Sequence, residues 1–239
     1  MQGRTGGRVL FEESGRRFGV RLEEKDGQRE LIAAGDPDLA IAAIAKIGAD
    51  WRPDTTTMTT EIREALPEDM AQFLGPEWGY RWEFWYADSP LQPVAGAERV
   101  VMLSRGSDEL AQYADDIRQA LAASNPISDA NESFDDLSWF VAFAEEGPVG
   151  AVMGFETRVV GEQRLAYFHG LGTVPTFRGR GYASTLMVAA VNLALESHDA
   201  IYFGMWAWNE GAGRIYSRVG LTNGAHLIEG RREPFTELG

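Results

Sequence analysis

Cysteine is absent from this chain, and its absence excludes several kinds of chemistry. Without thiols there are no disulfides, no cysteine nucleophile and no cysteine-ligated zinc site. Only 3 histidines are present, His169, His198 and His226, and their spacing matches no metal-binding motif. We therefore expect no bound metal. The lack of cysteine also fits a reducing, cytoplasmic location.

Long apolar runs and an excess of positive charge are missing too. The segment from Met1 to Arg8 lacks the apolar core of a signal peptide, and no apolar run approaches the roughly 20 residues that a membrane-spanning helix needs. With 36 acidic and 22 basic residues, the formal net charge is -14, which repels a phosphate backbone. The sequence therefore predicts a cytoplasmic protein that binds neither nucleic acid nor membranes. An acidic surface favours cationic partners such as amines.

The chain does contain ample material for a folded core. Hydrophobic residues make up 44% of its 239 residues, which suits one large domain or two small ones. A loop containing Pro90 and Pro93 runs from Asp88 to Gly96, and the residue pattern changes after it. We therefore predict an N-terminal α/β region at residues 1–92 and a second domain at residues 97–239.

The N-terminal region is predicted to contain short strands and two helices. Turn residues separate three strand-like segments, and Asp36 opens a helix that runs through Ile47. A second helix is predicted over Glu61–Phe73, interrupted by Pro67. The three strand-like segments are Val9–Phe11, Phe18–Leu22 and Glu30–Ile32. The aromatic cluster Trp78–Tyr86 is interpreted as core or domain interface, with a ligand-binding wall as the alternative.

The second domain has the predicted order β, α, β, β, β, α, β, α, β. Apolar periodicity and turn residues define the segments. They are the strand Val100–Leu103, the helix Asp108–Ala122, the strands Trp139–Ala144 and Val149–Phe155 around the turn Glu145–Pro148, the strand Leu165–Val174, the helix Gly181–Glu196, the strand Ala200–Trp208, the helix Glu210–Arg218 and a last strand from Gly220. Hairpins beside βαβ units predict an α/β (α+β) fold with a mixed, partly antiparallel central sheet and helices on both faces.

A glycine-rich turn, Leu171–Ser184, joins a predicted strand to a predicted helix. Glycine allows the backbone to approach a ligand closely, and the free N–H groups of a helix start attract anions such as a pyrophosphate. Arg178 and Arg180 add positive charge, and no acidic residue occurs between Glu162 and Glu196. The turn therefore predicts a phosphate site, with a turn that needs glycine only for steric reasons as the alternative.

The spacing of the glycines limits which phosphate-containing ligands the turn could bind. The pattern GxxxxGK followed by Ser or Thr is absent, which argues against nucleotide triphosphate binding in that mode. Gly179 and Gly181 fit part of the GxGxxG dinucleotide pattern, but Ser184 occupies its third glycine position. A dinucleotide site therefore stays the weaker alternative.

Two motifs in order give the chain a resemblance to the GNAT N-acetyltransferase superfamily. That family carries Q/R-x-x-G-x-G/A after its fourth strand, and here the segment is Arg178–Ala183, preceded by Val174 and Pro175. It often shows N-x-x-A-x-x-L/I-Y-x-x-x-G-F/L after its fifth strand. Here the matching residues are Asn209, Ala212, Ile215, Tyr216, Gly220 and Leu221. The resemblance covers about residues 98–231, with an additional N-terminal region.

The resemblance implies an acyl-CoA N-acyltransferase fold and an N-acetyltransferase. Such an enzyme transfers an acetyl or other acyl group from acetyl-CoA to a primary amine of a small molecule or peptide, by direct attack in a ternary complex and without a metal. Amides from Gly179 to Ser184 would hold the CoA pyrophosphate, and the backbone near Gly172 and Val174 would pair with the pantetheine arm. The implied cofactor-binding residues are Gly172, Thr173, Val174, Arg178, Gly179, Arg180, Gly181, Tyr182, Ala183, Ser184, Asn209, Ala212 and Tyr216.

Two residues are candidates for proton transfer. By resemblance, Tyr216 would protonate the departing thiolate, and a phenol pKa of about 10 suits this role. His169 is the candidate general base, since it lies on the strand leading into the site and imidazole titrates near neutral pH. The alternatives are a structural His169, a base at Glu156 or Glu210, or a water relay.

Several points stay open at this level. The acceptor amine is not identified, and the N-terminal region could serve acceptor recognition, dimerisation or be a degenerate GNAT-like half. The short tail after Leu221 predicts a closing hairpin that is abbreviated or completed by another subunit, so a homodimer is one option. The alternative function is a GNAT-like module that senses a CoA ester or another phosphate ligand without turnover.

Overall fold

A computed structural model describes residues 8–145 and 147–233. Glu146, within the predicted turn Glu145–Pro148, lies outside the described residues. The chain forms two compact units. The first contains the described residues up to Glu83, the segment Trp206–Trp208 and the described residues from Ala225; the second contains Phe84–Met205 and Asn209–Gly224. The sequence division at residues 92–97 stays a prediction, because units defined by contacts need not be continuous in sequence.

The described residues of the first part of the chain form five strands and three α-helices. The strands are β1 (Arg8–Ser14), β2 (Phe18–Lys25), β3 (Gln28–Gly35), β4 (Thr55–Thr59) and β5 (Glu77–Ala87), and the helices are α1 (Pro37–Ile44), α2 (Thr60–Ala65) and α3 (Glu68–Leu74). Strands β1, β2 and β3 pair antiparallel, and β4 pairs parallel to β3. The parallel pair follows from the crossover through α1. Met58 and Leu31 of the sheet pack with Ile62 and Leu74 of the helices.

Two elements of this region differ from the prediction. The single helix predicted over Glu61–Phe73 is two helices, because Pro67 removes a backbone donor and forces the preceding residue out of helical conformation. The threonine-rich strand β4 was not predicted, and neither was strand β5, which contains the aromatic cluster. Strand β4 lacks the regular apolar and polar alternation that marks a half-buried strand. Strand β5 shows that alternation from Glu77 to Phe84, but its aromatic residues led to its interpretation as core or interface.

The second part of the chain follows the predicted order of elements. It consists of β6 (Val100–Leu103), α4 (Asp108–Ser124), β7 (Ser138–Phe143), β8 (Val149–Val160), β9 (Gln163–Thr173), α5 (Tyr182–Leu195), β10 (Ala200–Trp206), α6 (Glu210–Val219) and β11 (Thr222–Arg231). Strands β6 to β9 pair antiparallel in sequence, and β10 pairs parallel to β9. The predicted mixed, partly antiparallel sheet is therefore confirmed.

Helices cover both faces of the second unit's sheet, as predicted. Alternate residues of β7 point to opposite faces. Trp139 packs in a core with Leu121 of α4, while Phe140 packs in a separate core with Leu186 of α5. None of the helices in the described ranges is long and apolar enough to cross a membrane.

Two parts of the chain repeat one order of elements. Strands β1, β2 and β3, a helix, strand β4, helices and strand β5 correspond in order to β7, β8, β9, α5, β10, α6 and β11. The pairing sense is also the same, two antiparallel pairs followed by a parallel one. A degenerate half at residues 1–92 would produce this repeat, and that interpretation stays a prediction.

Helix α1 begins with a side-chain cap. Asp36 accepts a hydrogen bond from the Leu39 amide at 3.3 Å, and Pro37 occupies the first helical position. We expect Asp36→Ala to lower the free energy of unfolding by about 1 kcal/mol, because the first-turn amide loses its acceptor. Urea denaturation measures the change. The exposed Asp38, which caps nothing, provides the control: Asp38→Ala should cost only a few tenths of a kcal/mol, and equal effects would contradict the assignment of the cap.

Candidate active site

The glycine-rich turn adopts a conformation that requires glycine at two positions. Gly179 has φ 74° and Gly181 has φ 87°, in the left-handed region that residues with a side chain rarely adopt. A Cβ atom at either position would meet no heavy atom within 4 Å. Conformation rather than tight packing therefore explains both glycines, and the space above the turn is open to a ligand.

Helix α5 begins at this turn with exposed, uncapped amides. Gly181 is its N-cap residue, no side chain caps the helix, and no acidic residue lies in the first turn. The amides of Tyr182, Ala183 and Ser184 precede the first intrahelical hydrogen bond, from Thr185 N to Gly181 O. Because these amides and the helix dipole are both positive, the helix start suits an anionic ligand.

Three arginines surround the turn in different ways. Arg178 donates to the carbonyl oxygens of Thr173 and Ser124, each at 3.3 Å, and so ties the turn to the end of α4. Arg180 lies over the ring of Phe177, 5.7 Å from its centroid. Arg218, which the sequence analysis did not single out, donates to Ser184 Oγ at 3.1 Å. The acid-free segment is thus bordered by positive charge.

Strands β9 and β10 pair only near their starts. Their parallel register runs from Leu165 with Ala200 to Tyr167 with Tyr202. Beyond Tyr167, the described register of β9 is with β8, through Thr173. The edge of β9 that faces away from β8 is therefore available over this stretch. Such an edge can hydrogen-bond an extended, amide-containing ligand as an added strand.

Two further glycines in β9 allow close approach of neighbouring segments. Gly170 has φ 58° and lies at an irregularity in the β8–β9 register. A Cβ atom there would lie 2.7 Å from Ser128 Oγ. At Gly172 a Cβ atom would collide with the Ser124 side chain, and the adjacent Asn125 donates to Leu171 O at 3.3 Å. A bulge of this kind redirects the side chains around it.

Tyr216 lies in the core of the second unit. It exposes only 5% of its surface, and its ring packs edge-on against Phe203 at 4.8 Å and Trp85 at 5.6 Å. Burial raises the pKa of Tyr216 well above its ordinary value. The phenol therefore stays protonated through the physiological pH range. The difference between its pKa and that of a thiol is larger than the ordinary phenol pKa predicts. Such a group stabilises a thiolate chiefly as a hydrogen-bond donor.

The other residues of the second motif begin helix α6. Asn209 is its N-cap and accepts a hydrogen bond from the Ala212 amide through Oδ1 at 3.2 Å, while Ala212 packs against the core that contains Tyr216. Glu210, a candidate base, forms an exposed ion pair with Arg214 at 3.2 Å. An exposed pair of this kind is a common helix-surface contact.

His169 is buried between two carboxylates. Its side chain exposes 7% of its surface, Nδ1 lies 3.4 Å from Asp129 Oδ2, and Nε2 lies 3.5 Å from Glu156 Oε1. Nε2 has no hydrogen-bond partner in the structure. Its ring also packs edge-on against Tyr167 at 4.5 Å. Because one ring nitrogen of this buried histidine has no hydrogen bond, core packing alone does not explain the residue.

The other two histidines have partners away from this cluster. His198 Nδ1 lies 2.9 Å from Ala194 O, at the end of α5, and its Nε2 lies 2.9 Å from Thr157 Oγ1. His226 Nδ1 lies 3.8 Å from Glu83 Oε1.

Arg158 completes the cluster around His169. It donates to Glu156 Oε1 from Nε at 2.9 Å and from Nη2 at 2.6 Å, and from Nη1 to Tyr202 Oη at 3.3 Å. Burial acts to raise the pKa of Glu156, but hydrogen bonds and charge from Arg158, with His169, outweigh it and lower the pKa. The hydrogen bond to His169 lowers the pKa of Asp129. Both carboxylates are therefore ionised at neutral pH.

Most of this cluster was not predicted from the sequence. Only His169 and Glu156 were candidates there, and Asp129, Arg158 and Tyr202 were not. Alternation on a strand places Tyr167 and His169 on one face and was visible in the sequence. Nothing in the spacing could have placed Asp129, which precedes His169 by 40 residues, against its imidazole.

Comparison with known proteins agrees with this architecture. Residues 108–221 match the model of the Acetyltransferase (GNAT) family, and no curated protein matches the chain. The chain therefore carries a domain of the GNAT acetyltransferase family, a class of acyltransferases.

Solved structures resemble the chain in fold. A GNAT-family acetyltransferase from Colwellia psychrerythraea has a TM-score of 0.58 at 12% identity, covering 94% of this chain and 84% of that one. The GCN5-related N-acetyltransferase from Kribbella flavida has a TM-score of 0.53 at 16% identity, covering 94% and 88%. A GNAT-family acetyltransferase from Novosphingobium aromaticivorans has a TM-score of 0.50 at 18% identity, covering 92% and 91%.

Proposed function

We propose that this chain is an acetyl-CoA-dependent N-acyltransferase that acts on a primary amine. One observation carries the proposal. The second unit presents an uncapped, acid-free helix start at Gly181, and the strand leading into it, β9, separates from β10 after Tyr167. CoA has an anionic pyrophosphate followed by an amide-containing pantetheine arm. The helix start suits the pyrophosphate, and the open edge of β9 suits the pantetheine arm.

Different residues of the chain bind different parts of CoA. The amides of Tyr182, Ala183 and Ser184 hold the pyrophosphate, with Arg180 and Arg218 supplying charge. The backbone from Gly172 to Val174 hydrogen-bonds the pantetheine arm, and Asn209, with Ala212, borders it at the start of α6. Arg178 acts indirectly, because its guanidinium already holds the turn against α4.

The reaction needs two proton movements. When bound, acetyl-CoA supplies a thioester whose carbonyl carbon an amine can attack. His169 accepts a proton from the incoming ammonium, and the carboxylates of Asp129 and Glu156 on its two sides stabilise the imidazolium that forms. The C–N bond forms and the C–S bond breaks, leaving the electron pair on sulfur. The nitrogen then loses a second proton and the thiolate gains one, with Tyr216 donating a hydrogen bond to the sulfur. The products are an amide, CoA and one proton.

Helix α1 of the first unit lacks the features that make this anion site. It is capped by the carboxylate of Asp36, with Pro37 in place of a first-turn donor. A carboxylate in this position repels a phosphate. We therefore expect one CoA per chain, as measured by isothermal titration calorimetry. A stoichiometry of two would contradict this assignment of the first unit.

Binding and turnover test the proposed function separately. We expect CoA to raise the melting temperature, whereas NAD at the same concentration should not, because only CoA offers a pantetheine arm for β9. Thiol release from acetyl-CoA is then followed over a panel of primary amines. An absence of CoA binding would overturn the proposal. Binding without thiol release on any amine would instead support the sensor function.

A further inference from the structure

Beside the open edge of β9 lies a polar and aromatic cluster that the cofactor does not use. It consists of Asp129, Glu156, Arg158, Tyr167, His169, Tyr202 and Phe84. Register places Glu156, Tyr167 and Tyr202 side by side across β8, β9 and β10, and His169 follows on the same face, two residues after Tyr167. All of these residues belong to the second unit.

Aromatic rings form one side of this cluster. Phe84 stacks on Tyr202 with ring centroids 6.3 Å apart, and Tyr202 lies 4.8 Å from Tyr167. The next residue on this face of β10 is Gly204, which is exposed. A Cβ atom there would lie 3.8 Å from the Phe84 ring and 4.0 Å from Tyr167 Oη. Because Gly204 has no side chain beyond a hydrogen atom, the surface there is open and bordered by aromatic rings, which suits a flat apolar group.

Charge on the other side of the cluster is unbalanced. Glu156 is neutralised by the two hydrogen bonds from Arg158. Asp129 exposes 75% of its side chain, and its ionisable partner among the described residues is His169. The buried Nε2 of His169 faces Glu156 Oε1 at 3.5 Å. The exposed carboxylate of Asp129 can therefore accept further hydrogen bonds, and an ammonium group supplies several donors.

The same arrangement disfavours a carboxylate on the acceptor. The one cation of the cluster, Arg158, already uses Nε and Nη2 on Glu156 and Nη1 on Tyr202, and its guanidinium lies over Tyr167, 3.8 Å from the ring centroid. A carboxylate attached next to the reacting amine would meet Asp129 and Glu156, and the nearby guanidinium is already engaged by Glu156 and Tyr202. Placing like charges together in this way costs several kcal/mol in protein recognition.

We propose that this cluster is the acceptor subsite and that it selects arylalkylamines without an adjacent carboxylate over the corresponding aromatic amino acids. The proposal rests on the proposed function for the identity of the reaction. The aromatic rings bind the apolar body, and Asp129 binds the ammonium beside His169. The bond between Glu156 and Arg158 keeps the guanidinium unavailable to a carboxylate.

Phenethylamine and phenylalanine test the selection, because they differ only by a carboxylate. Binding is measured by calorimetry with and without CoA, and thiol release with acetyl-CoA gives kcat/KM. We expect phenethylamine to bind at least about tenfold more tightly than phenylalanine. Equal binding, or tighter binding of phenylalanine, would overturn the proposal. Since the amine titration needs neither CoA nor turnover, failure of the proposed function would appear separately, as absent CoA binding.

Two substitutions test the charge argument. Glu156→Gln frees Arg158, so the ratio of phenethylamine affinity to phenylalanine affinity should move about fivefold closer to one. Glu162→Gln, which removes another exposed carboxylate, is the control. In Asp129→Asn, phenethylamine binding should weaken about fivefold while the uncharged isostere 2-phenylethanol keeps its affinity. Glu132→Gln on the same segment is the control. An unchanged ratio in the first variant and unchanged phenethylamine binding in the second would each contradict the assignment.

Discussion

Replacing Ala183 with aspartate is expected to weaken CoA binding by at least about 100-fold, the effect of placing like charges in contact at a binding site. Ala183 is the second residue of α5, in the acid-free first turn. A carboxylate there would occupy the positive helix start and repel the pyrophosphate. Calorimetric titration with CoA measures the loss.

The same substitution should not destabilise the protein. An acidic side chain in the first turn of a helix is stabilised by the helix dipole, by about 0.3–1 kcal/mol. The melting temperature of Ala183→Asp should therefore equal or exceed that of the parent protein. Ala183→Ser, which adds a polar group of similar size without charge, is the matched control and should keep CoA affinity within about threefold. Tight CoA binding by the aspartate variant would show that the pyrophosphate lies elsewhere.

Replacing Tyr216 with phenylalanine is expected to lower kcat about 10- to 100-fold, within the usual range for a lost acid or hydrogen-bond donor at a reacting atom. The ring packs against Phe203 and Trp85, and phenylalanine keeps both contacts. Because the raised pKa keeps the phenol protonated, the loss should be constant across neutral pH. Thiol release with a saturating amine measures it.

The control is a tyrosine of the same unit outside the site. Tyr113 packs against Phe143, with ring centroids 5.1 Å apart, so Tyr113→Phe removes a phenol without reaching the reaction. CoA affinity and melting temperature should change little in both variants. Full turnover by Tyr216→Phe would remove Tyr216 from the mechanism and leave sulfur protonation to water.

The order of elements in the second unit was predictable because it depends on local pattern. Apolar periodicity indicated α4 and α5, and the structure places them at Asp108–Ser124 and Tyr182–Leu195. Glycine-rich turns marked the start of α5. The first unit was harder, since β4 is short and mostly threonine and so lacks the alternation of a half-buried strand. Strand β5 alternates from Glu77 to Phe84, but its aromatic residues equally suit core or interface.

The candidate site was likewise predictable from the sequence only in part. The turn at Gly179 and Gly181 could be predicted because glycine conformation, helix-start amides and absent acids are local properties. Tyr216 was found by its place in a motif, but its pKa depends on burial against Phe203 and Trp85, which lie far away in sequence. The sequence therefore predicted a phenol near its ordinary pKa, and packing raised it.

By itself, the sequence determined the family resemblance, the mixed sheet and the position of the anion-binding turn, since each follows from residues adjacent along the chain. Tertiary structure decided the surroundings of His169. It brings Asp129 to one nitrogen of His169 and Glu156 to the other, and it ties Arg158 to Glu156 and Tyr202. These contacts join residues up to 44 positions apart, and only folding of the sheet and the α4 connection brings such segments together.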